Sequence, residues 1–457
     1  MDGFVGRREE LRKLNEWYSG GDFEFVGMYG RRRVGKTSII REFVRGKRTI
    51  FFTARKSRTD SNLHQFRNTV FEALGESGTG AEDPDDLMKI IAKHSGERLV
   101  LVIDEYPLFV ETDDVISSVL QIAIDHMFED TKLFIILCGS SMNFMKRQVL
   151  GYESPLYGRR TREMHVRPMN YRESAEFFPG RSPYEAACIY GAVGGIPMYL
   201  RRFTGGGSVE RLIAREFFTD ASFLAGEPES LILQEMKDPR RYNDIIAAAS
   251  EGRARIKEIC DSTGLASAEV SKCLDDLIDL GYVKRTTPVN GGARTTRYFI
   301  DDNLFRFCYG RVFGNSHISA MSEDAAAEQV GIMLSEHMGG VFEDMCGQFV
   351  KERMGYHSVG KWWGSPSKEV GEIEVDIAAS RRTAAGRTEG LFAECKFRTG
   401  KVGPSALTAL RDHAQYIPGF DSKSYAIFSR GGFSDELVDR AAAEDVALVS
   451  LKDMYET

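Results

Sequence analysis

The fold of this chain is decided by the stretch Gly30-Arg31-Arg32-Arg33-Val34-Gly35-Lys36-Thr37. It fits the pattern G-x-x-x-x-G-K-[ST], in which backbone N–H groups wrap around a polyphosphate. The two glycines allow the close turn, Lys36 offers a cation to the β- and γ-phosphates, and Thr37 offers a hydroxyl to Mg²⁺. Together with Ser38, which follows directly, these residues are the predicted binding site for ATP and Mg²⁺.

The residues on either side of the loop have the patterns that this motif requires. Residues 23–29 are a largely apolar run that predicts a strand, and residues 37–44 place apolar side chains on one side of a helix that Gly46 would end. The positive N-terminus of that helix would point at the phosphates. A strand, a loop and a helix in this order favour a nucleotide site over a surface turn that matches by chance.

A pair of acids follows the next strongly apolar run. Residues 99–103 are apolar without alternation, which indicates a strand buried on both faces, and Asp104 and Glu105 come directly after it. Because α/β sheets bind ligands at the carboxyl ends of their strands, we predict that Asp104 holds Mg²⁺ and that Glu105 polarises the attacking water. The alternative is that this pair caps the next helix.

Two further segments supply candidates for the same site. The buried strand predicted at 133–138 ends in Gly139-Ser140-Ser141, where Ser140 or Ser141 could hydrogen-bond the γ-phosphate or the water, although a plain turn is equally open. The basic turn before residue 162 holds Arg159 and Arg160. Either is a candidate arginine finger that supplies charge to the γ-phosphate, and the alternative is a solvated turn.

Composition describes a cytosolic globular protein of roughly three domains. The chain has 457 residues, of which 42% are hydrophobic and 28% charged, with no apolar run long enough for a membrane span and no signal-peptide pattern at the start. Its seven cysteines are scattered without a C-x-x-C pair, which argues against a structural zinc site. A net charge of −7 argues against a protein that coats nucleic acid, so any such contact must come from local patches.

Residues 240–299 have the order of elements that is typical of a winged helix. Three helical patterns, with Ser267 as the predicted cap of the third, precede a predicted hairpin around Asn290-Gly291-Gly292. The third helix carries four acids against Lys272, and phosphates repel acids. The predicted wing carries only basic charges, namely Lys284, Arg285, Arg294 and Arg297. Contact of this wing with DNA and a structural role both remain open.

The C-terminal part contains a second candidate site. Residues 372–377 alternate strictly, which places Asp376 on the polar face of a strand, and the next predicted strand carries Glu394 and Lys396 on one face. Metal-dependent nucleases of the restriction-endonuclease fold use an acid followed by Glu-x-Lys, where carboxylates hold the cation and the lysine assists the attacking water. Glu343 on the preceding predicted helix resembles the additional acid of resolvase-like members. The alternative is a hairpin with a solvated polar face.

The motifs occur in an order that resembles the archaeal-type P-loop ATPase family, which is related to AAA+ and signal-transduction ATPases. The resemblance is carried by Phe4-Val5-Gly6-Arg7, the phosphate-binding loop, Ile103-Asp104-Glu105, Gly139-Ser140-Ser141 and Gly194-Gly195-Ile196-Pro197. It implies an α/β fold, a P-loop NTPase parallel sheet with a helical lid, plus a winged-helix domain and a C-terminal α/β domain similar to restriction endonucleases. The domains expected are the ATPase core at 1–168, the lid at 169–230, the winged helix at 231–310, a linker at 311–335 and the nuclease-like domain at 336–457.

Two functions are compatible with these observations. The first is an ATPase whose nucleotide state controls a nuclease-like domain on DNA, with contacts through the wing and the C-terminal domain. The second is a signalling or scaffold ATPase that switches assembly of further copies, with a C-terminal domain that only binds a partner. The four residues of the C-terminal candidate site favour the first, whereas the acidic third helix and the negative net charge favour the second.

Overall fold

The computed structural model describes residues 3–57, 61–76, 83–112, 115–140, 142, 144–145, 149, 151–152, 154–219, 222–290, 295–367 and 370–456. The chain divides into two units, of which the first comprises Met1–Pro168 with Ile196–Met198 and the second comprises Met169–Gly195 with Tyr199–Thr457. The finer division into five parts stays a prediction within these units.

The first unit is built on a parallel sheet. Its strands are β1 (Glu24–Tyr29), β2 (Thr49–Thr53), β3 (Leu99–Asp104), β4 (Leu133–Gly139) and β5 (Arg162–His165). They lie in the order β2-β3-β4-β1-β5, and every neighbouring pair is parallel. All residues of β3 and β4 are buried, as their continuous apolar runs predict. The carboxyl ends of β1, β4 and β3 therefore meet at one edge of the sheet.

Helices cover this sheet and bury their apolar sides. They are Arg8–Ser19, Lys36–Phe43, Ser61–Leu74, Pro84–His94, Tyr106–Thr112 and Ile116–Ala123, which continues as a π-helical turn over Ile124–Phe128. The helix after the phosphate-binding loop buries Ile39, Ile40 and Phe43, three of the apolar positions that predict it. This burial fixes the loop against the end of β1.

The second unit begins with helices. They are Tyr171–Ala175, Pro183–Val193, Val209–Phe217 and Phe223–Glu235, and the short helix Pro197–Leu200 crosses the boundary between the units. Asn170 and Ser182 cap the first two through reciprocal bonds with a glutamate three residues later. The helical pattern predicted for this region is confirmed, and its role as a lid stays a prediction.

Three helices and a hairpin follow, in the order that the sequence predicts. The helices are Pro239–Ser250, Ile256–Thr263 and Ser267–Asp279, and the hairpin pairs β6 (Val283–Thr286) with β7 (Arg297–Ile300). The predicted cap at Ser267 is wrong by one residue. Ala266 is the N-cap, and its N–H donates to the Glu269 carboxylate at 3.3 Å. The predicted turn residues Gly291 and Gly292 lie outside the described residues.

The predicted linker at 311–335 is largely helical. After Asn303–Phe307, a π-helical turn (Cys308–Val312) and a 3₁₀ segment (Phe313–Ala320), a helix of 31 residues runs from Glu323 to Arg353. Ser322 caps it, and good helix formers at 325–328 extend it well upstream of the position that the sequence pattern indicates. This long helix joins the middle of the unit to its C-terminal sheet.

The C-terminal sheet has five strands. They are β8 (Ser358–Gly364), β9 (Ile373–Arg382), β10 (Thr388–Lys396), β11 (Ser422–Ser429) and β12 (Ala447–Ser450), with helices Pro404–Ala414, Asp435–Ala443 and Leu451–Tyr455. β8, β9 and β10 pair antiparallel, and β11 and β12 continue in parallel. The predicted α-β-β-β-α-β order is therefore present.

A β-bulge interrupts the pairing of β8 with β9, while burial in β9 alternates from Ile373 to Ile377 as the sequence predicts. Gly360 pairs with Ala378 whereas Trp362 pairs with Val375, so Asp376 and Ile377 together oppose the single residue Lys361. A bulge of this kind redirects a side chain next to it. It places Asp376 opposite a lysine that the sequence pattern does not single out.

No helix among the described residues combines the length and apolar character that crossing a membrane requires.

Candidate functional sites

Two glycines of the loop after β1 occupy positions that few other residues could adopt. A Cβ atom at Gly30 would lie 2.3 Å from the carbonyl oxygen of Val166, so the backbone would have to move. Gly35 has a φ of 98° directly before the helix Lys36–Phe43, in the left-handed region that favours glycine. The rest of the turn consists of Arg31, Arg32, Arg33 and Val34, as the motif predicts.

Lys36 lies inside this loop with only 6% of its surface exposed. Its ammonium donates to the carbonyl oxygens of Gly30 at 2.7 Å and Arg31 at 2.9 Å. Burial lowers the pKa of Lys36, while Glu105 and Asp104 act in the opposite direction. A bound polyphosphate would favour the charged form further, because an anion nearby stabilises an ammonium.

Thr37 and Asp104 contact each other across the sheet edge. The Thr37 hydroxyl donates to Oδ2 of Asp104 at 2.8 Å, and Asp104 is 2% exposed. A hydroxyl and a carboxylate are oxygen ligands of the kind that Mg²⁺ prefers. The two residues that the sequence assigns to Mg²⁺ thus fit that ion, with Ser38 next to Thr37 on the same helix.

Glu105 is held at the end of β3 by a second pair of contacts. Its φ of 53° is unusual for a residue with a side chain, and its N–H donates to Oδ1 of Asp104 at 3.1 Å. The Ser140 hydroxyl, at the end of β4, donates to Oε2 of Glu105 at 3.1 Å. The partner of Ser140 is therefore the predicted catalytic acid, and Ser141 lies outside the described residues.

Arg7 contributes to this site in a way that the sequence does not indicate. Only 3% of the surface of Arg7 is exposed. Its guanidinium donates to the carbonyl oxygens of Val34 at 2.8 Å and Arg167 at 2.7 Å, and to the Glu10 carboxylate at 2.8 Å. In the sequence, Arg7 stands out only as part of the motif Phe4-Val5-Gly6-Arg7. Arg7 itself stabilises the phosphate-binding loop, and no spacing rule in the sequence predicts that bond.

Arg159 and Arg160 lie away from the loop. Arg159 binds both carboxylate oxygens of Asp125, at 2.6 and 2.7 Å, and Arg160 lies 3.5 Å from Glu163. The next residue, Thr161, donates its N–H to the carbonyl of Phe25, near the start of β1. The loop follows the other end of β1, and the role of either residue as an arginine finger stays a prediction.

In the second unit, Ile377 of β9 pairs with Ala393 of β10. Asp376 and Glu394 are the residues next to this pair, one on each strand. The Asp376 carboxylate accepts the N–H of Cys395 at 2.8 Å. Burial, and then the charge of Glu394, raise the pKa of Asp376 to about 6. The Glu394 carboxylate therefore lies close enough for its charge to disfavour ionisation of Asp376.

The predicted cluster of three metal-ligating acids is not assembled. Glu343 pairs with Lys361, and Glu394 pairs with Lys396 beside it. Burial raises the pKa of Glu343, and Lys361 opposes this. In the part of the chain that the structure describes, no three acidic, histidine or cysteine side chains converge as metal ligands. Each of the two glutamates is paired with a lysine in this structure, and metal binding by these acids stays a prediction.

A cavity of about 470 Å³ lies beside this set. Glu343, Lys361 and Asp376 line it, and so do Thr286 and Phe299 of the hairpin β6–β7. Glu394 and Lys396 are not part of its lining. The predicted set is thus divided between the cavity and the end of β10.

The described basic residues of the wing are paired with acids. Lys284 and Arg306 both bind Asp344, at 2.6 and 2.7 Å. Burial acts to raise the pKa of Asp344, but these two cations outweigh it and hold that pKa below its usual value. Of the other wing cations, Arg285 lies 2.5 Å from Asp275, Arg297 pairs with Glu372, and Arg294 lies outside the described residues. The three described basic residues of the wing are thus each paired with an acid, and contact of the wing with DNA stays a prediction.

Comparison with known proteins agrees with the site geometry. Residues 4–203 match the model of an ATPase domain predominantly from Archaea, and residues 305–407 match that of archaeal and bacterial proteins of unknown function. An uncharacterized protein of Methanocaldococcus jannaschii is 29% identical over 405 residues, which is 86% of this chain and 88% of that protein. An uncharacterized ATP-binding protein of the same organism is 42% identical over 45 residues, covering 10% of this chain and 76% of that protein.

A solved structure has the same fold. The Walker-type ATPase of Pyrococcus abyssi superposes with a TM-score of 0.50 at 20% identity, covering 67% of this chain and 96% of that one. At this identity the likeness concerns the fold. Over residues 4–203 the chain contains an ATPase domain of the kind found predominantly in Archaea, in agreement with the order of the motifs.

Proposed function

We propose that this protein binds and hydrolyses ATP and that its nucleotide state controls the action of its second unit on DNA. The observation that carries the first half is the pair of contacts at the sheet edge, Thr37 with Asp104 and Ser140 with Glu105. These contacts join side chains from three neighbouring strand ends around the loop that holds Lys36. Their types and order match the parts that phosphoryl transfer to water requires.

Each of these residues has a separate task in hydrolysis. Lys36 binds the β- and γ-phosphate oxygens, and Glu105 orients the attacking water by accepting its hydrogen bond. Ser140 holds the Glu105 carboxylate in place through the 3.1 Å bond. Thr37 and Asp104 would hold Mg²⁺, which neutralises charge that develops on the phosphate oxygens.

Action on DNA is supported by the C-terminal sheet. The long helix, the three antiparallel strands and the helix before β11 follow one another in the order of restriction-endonuclease-like proteins, and Asp376, Glu394 and Lys396 lie at one end of β9 and β10. A resident divalent cation fits this end less well than the ATP site, because Glu343 and Glu394 are each paired with a lysine.

The same pairing favours a second candidate function. A signalling or scaffold ATPase would use ATP to switch assembly, and its C-terminal part would bind a partner without cutting it. Support for it is that two carboxylates of the C-terminal candidate site are already paired, Glu343 with Lys361 and Glu394 with Lys396.

A nuclease assay on the full-length protein distinguishes the two functions. Purified protein is incubated with branched, single-stranded and double-stranded DNA, with Mg²⁺ or Mn²⁺, in the presence and absence of ATP. Cleavage that Lys396→Ala abolishes, and that Lys401→Ala at an exposed position leaves intact, would support the first function. Intact DNA in every condition, together with ATP hydrolysis, would support the signalling function.

A further inference from the structure

We propose that the end of the C-terminal sheet at the turn between β9 and β10 binds the phosphate backbone of double-stranded DNA. This inference rests on the proposed action on DNA and names the surface that would make the contact. The surface, called here the hairpin-end surface, consists of His357, Ser380, Arg381, Arg382, Arg387 and Thr388. It belongs to neither the nucleotide site nor the predicted metal-binding set.

The backbone brings these residues together. Ser358, next to His357, pairs with Ser380 across β8 and β9, and Arg382 pairs with Thr388 across β9 and β10. The Arg381 guanidinium also donates to the carbonyl of Met354, at the end of the long helix, at 3.3 Å. A hollow of about 430 Å³ lies over this end of the sheet, lined by all residues of the surface except Arg387.

The positive charge of this surface is mostly unpaired. Within the described ranges, the exposed side chains of Arg382 and Arg387 have no acidic partner. Two nearby acids are already engaged, since Glu389 pairs with Arg381 at 2.7 Å and Asp421 accepts the N–H of Thr388 at 2.7 Å. Two guanidinium groups therefore face solvent without a counter-charge.

This distinguishes the hairpin-end surface from the winged helix. There, Arg241 pairs with Asp238 at 3.0 Å and Glu269 at 2.9 Å, and Arg285 pairs with Asp275 at 2.5 Å. A basic side chain that is paired with a carboxylate must break that ion pair before it can bind a DNA phosphate. This cost reduces the free energy gained when counterions are released from the DNA. The whole chain has a net charge of −7, so a segment rich in basic residues is a weak indication of anion binding. Arginines without an acidic partner are a better indication.

The chemistry of the surface fits phosphates rather than bases. Hydroxyls of Ser380 and Thr388 lie beside the arginines in the hollow, and hydroxyl and guanidinium groups are the usual contacts of the DNA backbone. The neighbouring aromatic ring, Tyr356, is 4% exposed and lies 4.7 Å below the Arg381 guanidinium, so it is not open for stacking on a base. These features favour a duplex, whose phosphates are exposed and whose bases are paired.

The test measures duplex binding by the full-length protein with ATP and Mg²⁺ over a series of salt concentrations. The double variant Arg382→Ala/Arg387→Ala is compared with Arg241→Ala/Arg285→Ala, which removes two arginines of similar exposure, 49% and 51%, that are paired. We expect the first variant to raise Kd on the order of tenfold or more at low salt and to reduce the slope of log K against log salt by about 2. The paired control should bind nearly as the wild type does. Both variants should hydrolyse ATP normally, which verifies their fold.

Each other outcome has a definite meaning. Equal binding by the wild type and the first variant, or a larger loss in the paired control, would overturn the surface while leaving action on DNA intact. No binding of the wild type at low salt would overturn both the surface and the proposed action on DNA. Equally strong binding of poly-glutamate, lost in the same variant, would show a general polyanion surface and would also contradict the proposal.

Discussion

The nucleotide site and the C-terminal candidate site use the same kinds of side chain but differ in how those side chains are paired. In the nucleotide site the predicted residues contact one another, as Thr37 with Asp104 and Ser140 with Glu105. In the C-terminal site, Glu343 pairs with a lysine outside the predicted set, and Glu394 pairs with the lysine two residues away. A functional site is supported where side chains from different elements meet, and matching residue types alone are weaker evidence.

The largest effect is expected from Lys36→Ala. The substitution removes the cation that lies inside the loop and that would bind two phosphates, so affinity for ATP should fall roughly 100-fold, as for loss of charged hydrogen bonds. Isothermal titration calorimetry with ATP and Mg²⁺ measures this. Lys13→Ala, on an exposed helix position, is the matched control and should bind as the wild type does. Unchanged affinity in Lys36→Ala would remove the basis for the nucleotide site.

Glu105→Gln separates binding from hydrolysis. The amide keeps the shape of the side chain but loses the charge that orients water, so ATP affinity should be retained while the hydrolysis rate falls about 100-fold. Phosphate release under saturating ATP, together with a binding measurement, gives both quantities. Hydrolysis at the wild-type rate would show that another residue orients the water.

Asp376→Asn tests whether burial and the nearby Glu394 raise the pKa of Asp376 in the folded protein. Folding raises the pKa of Asp376 from its usual 3.8 to about 6, so the folded protein holds this proton at a pH where the unfolded chain has lost it. The proton on Asp376 therefore contributes fully to the stability of the folded protein below about pH 4. This contribution is lost as the pH rises through about 6. Asparagine avoids that loss.

The variant should consequently be more stable than the wild type by about 1–3 kcal/mol at pH 8, and nearly equal to it at pH 4. Thermal unfolding at the two pH values measures the difference. A variant that is destabilised equally at both pH values would mean that the pKa of Asp376 is not raised in the folded protein. Burial and the charge of Glu394 would then not describe the surroundings of Asp376 in the C-terminal site.

Ser140→Ala should have the smallest effect. Loss of one hydrogen bond from the Ser140 hydroxyl to the Glu105 carboxylate should lower kcat roughly fivefold. KM should stay constant because Ser140 acts through Glu105 rather than on ATP. Steady-state kinetics give both parameters. A raised KM with unchanged kcat would indicate that Ser140 contacts the nucleotide directly.

The part of the nucleotide site that the sequence predicts is the part that lies close together in the chain. The motif from Gly30 to Thr37 specifies the backbone conformation of the loop. Asp104 and Glu105 directly follow an apolar run, and the end of that run locates the end of the strand. The bond between Ser140 and Glu105 depends on β4 lying between β1 and β3, and strand order is not a local property of the sequence. Arg7 is missed for a similar reason, since it binds backbone atoms that any residue would offer.

The C-terminal elements are also predicted in the right order, but their side-chain partners are not. Alternation locates β9, yet it cannot reveal the bulge that sets Asp376 opposite Lys361. Counting basic residues identifies the wing, yet the acids that neutralise Lys284 and Arg297 come from Asp344 and Glu372, far along the chain. The sequence shows how many charged residues a segment contains. Only the structure shows which of them are paired with an opposite charge and which are available to a ligand.

The central claim, that the nucleotide state controls action on DNA, is tested most directly by duplex affinity in two nucleotide states. Glu105→Gln protein is used because it should hold ATP without hydrolysing it, and its affinity is measured in ATP with Mg²⁺ and again in ADP with Mg²⁺. The account predicts that the two affinities differ at least about fivefold, the lower range of coupling between two sites. Equal affinity in ATP and ADP would contradict it.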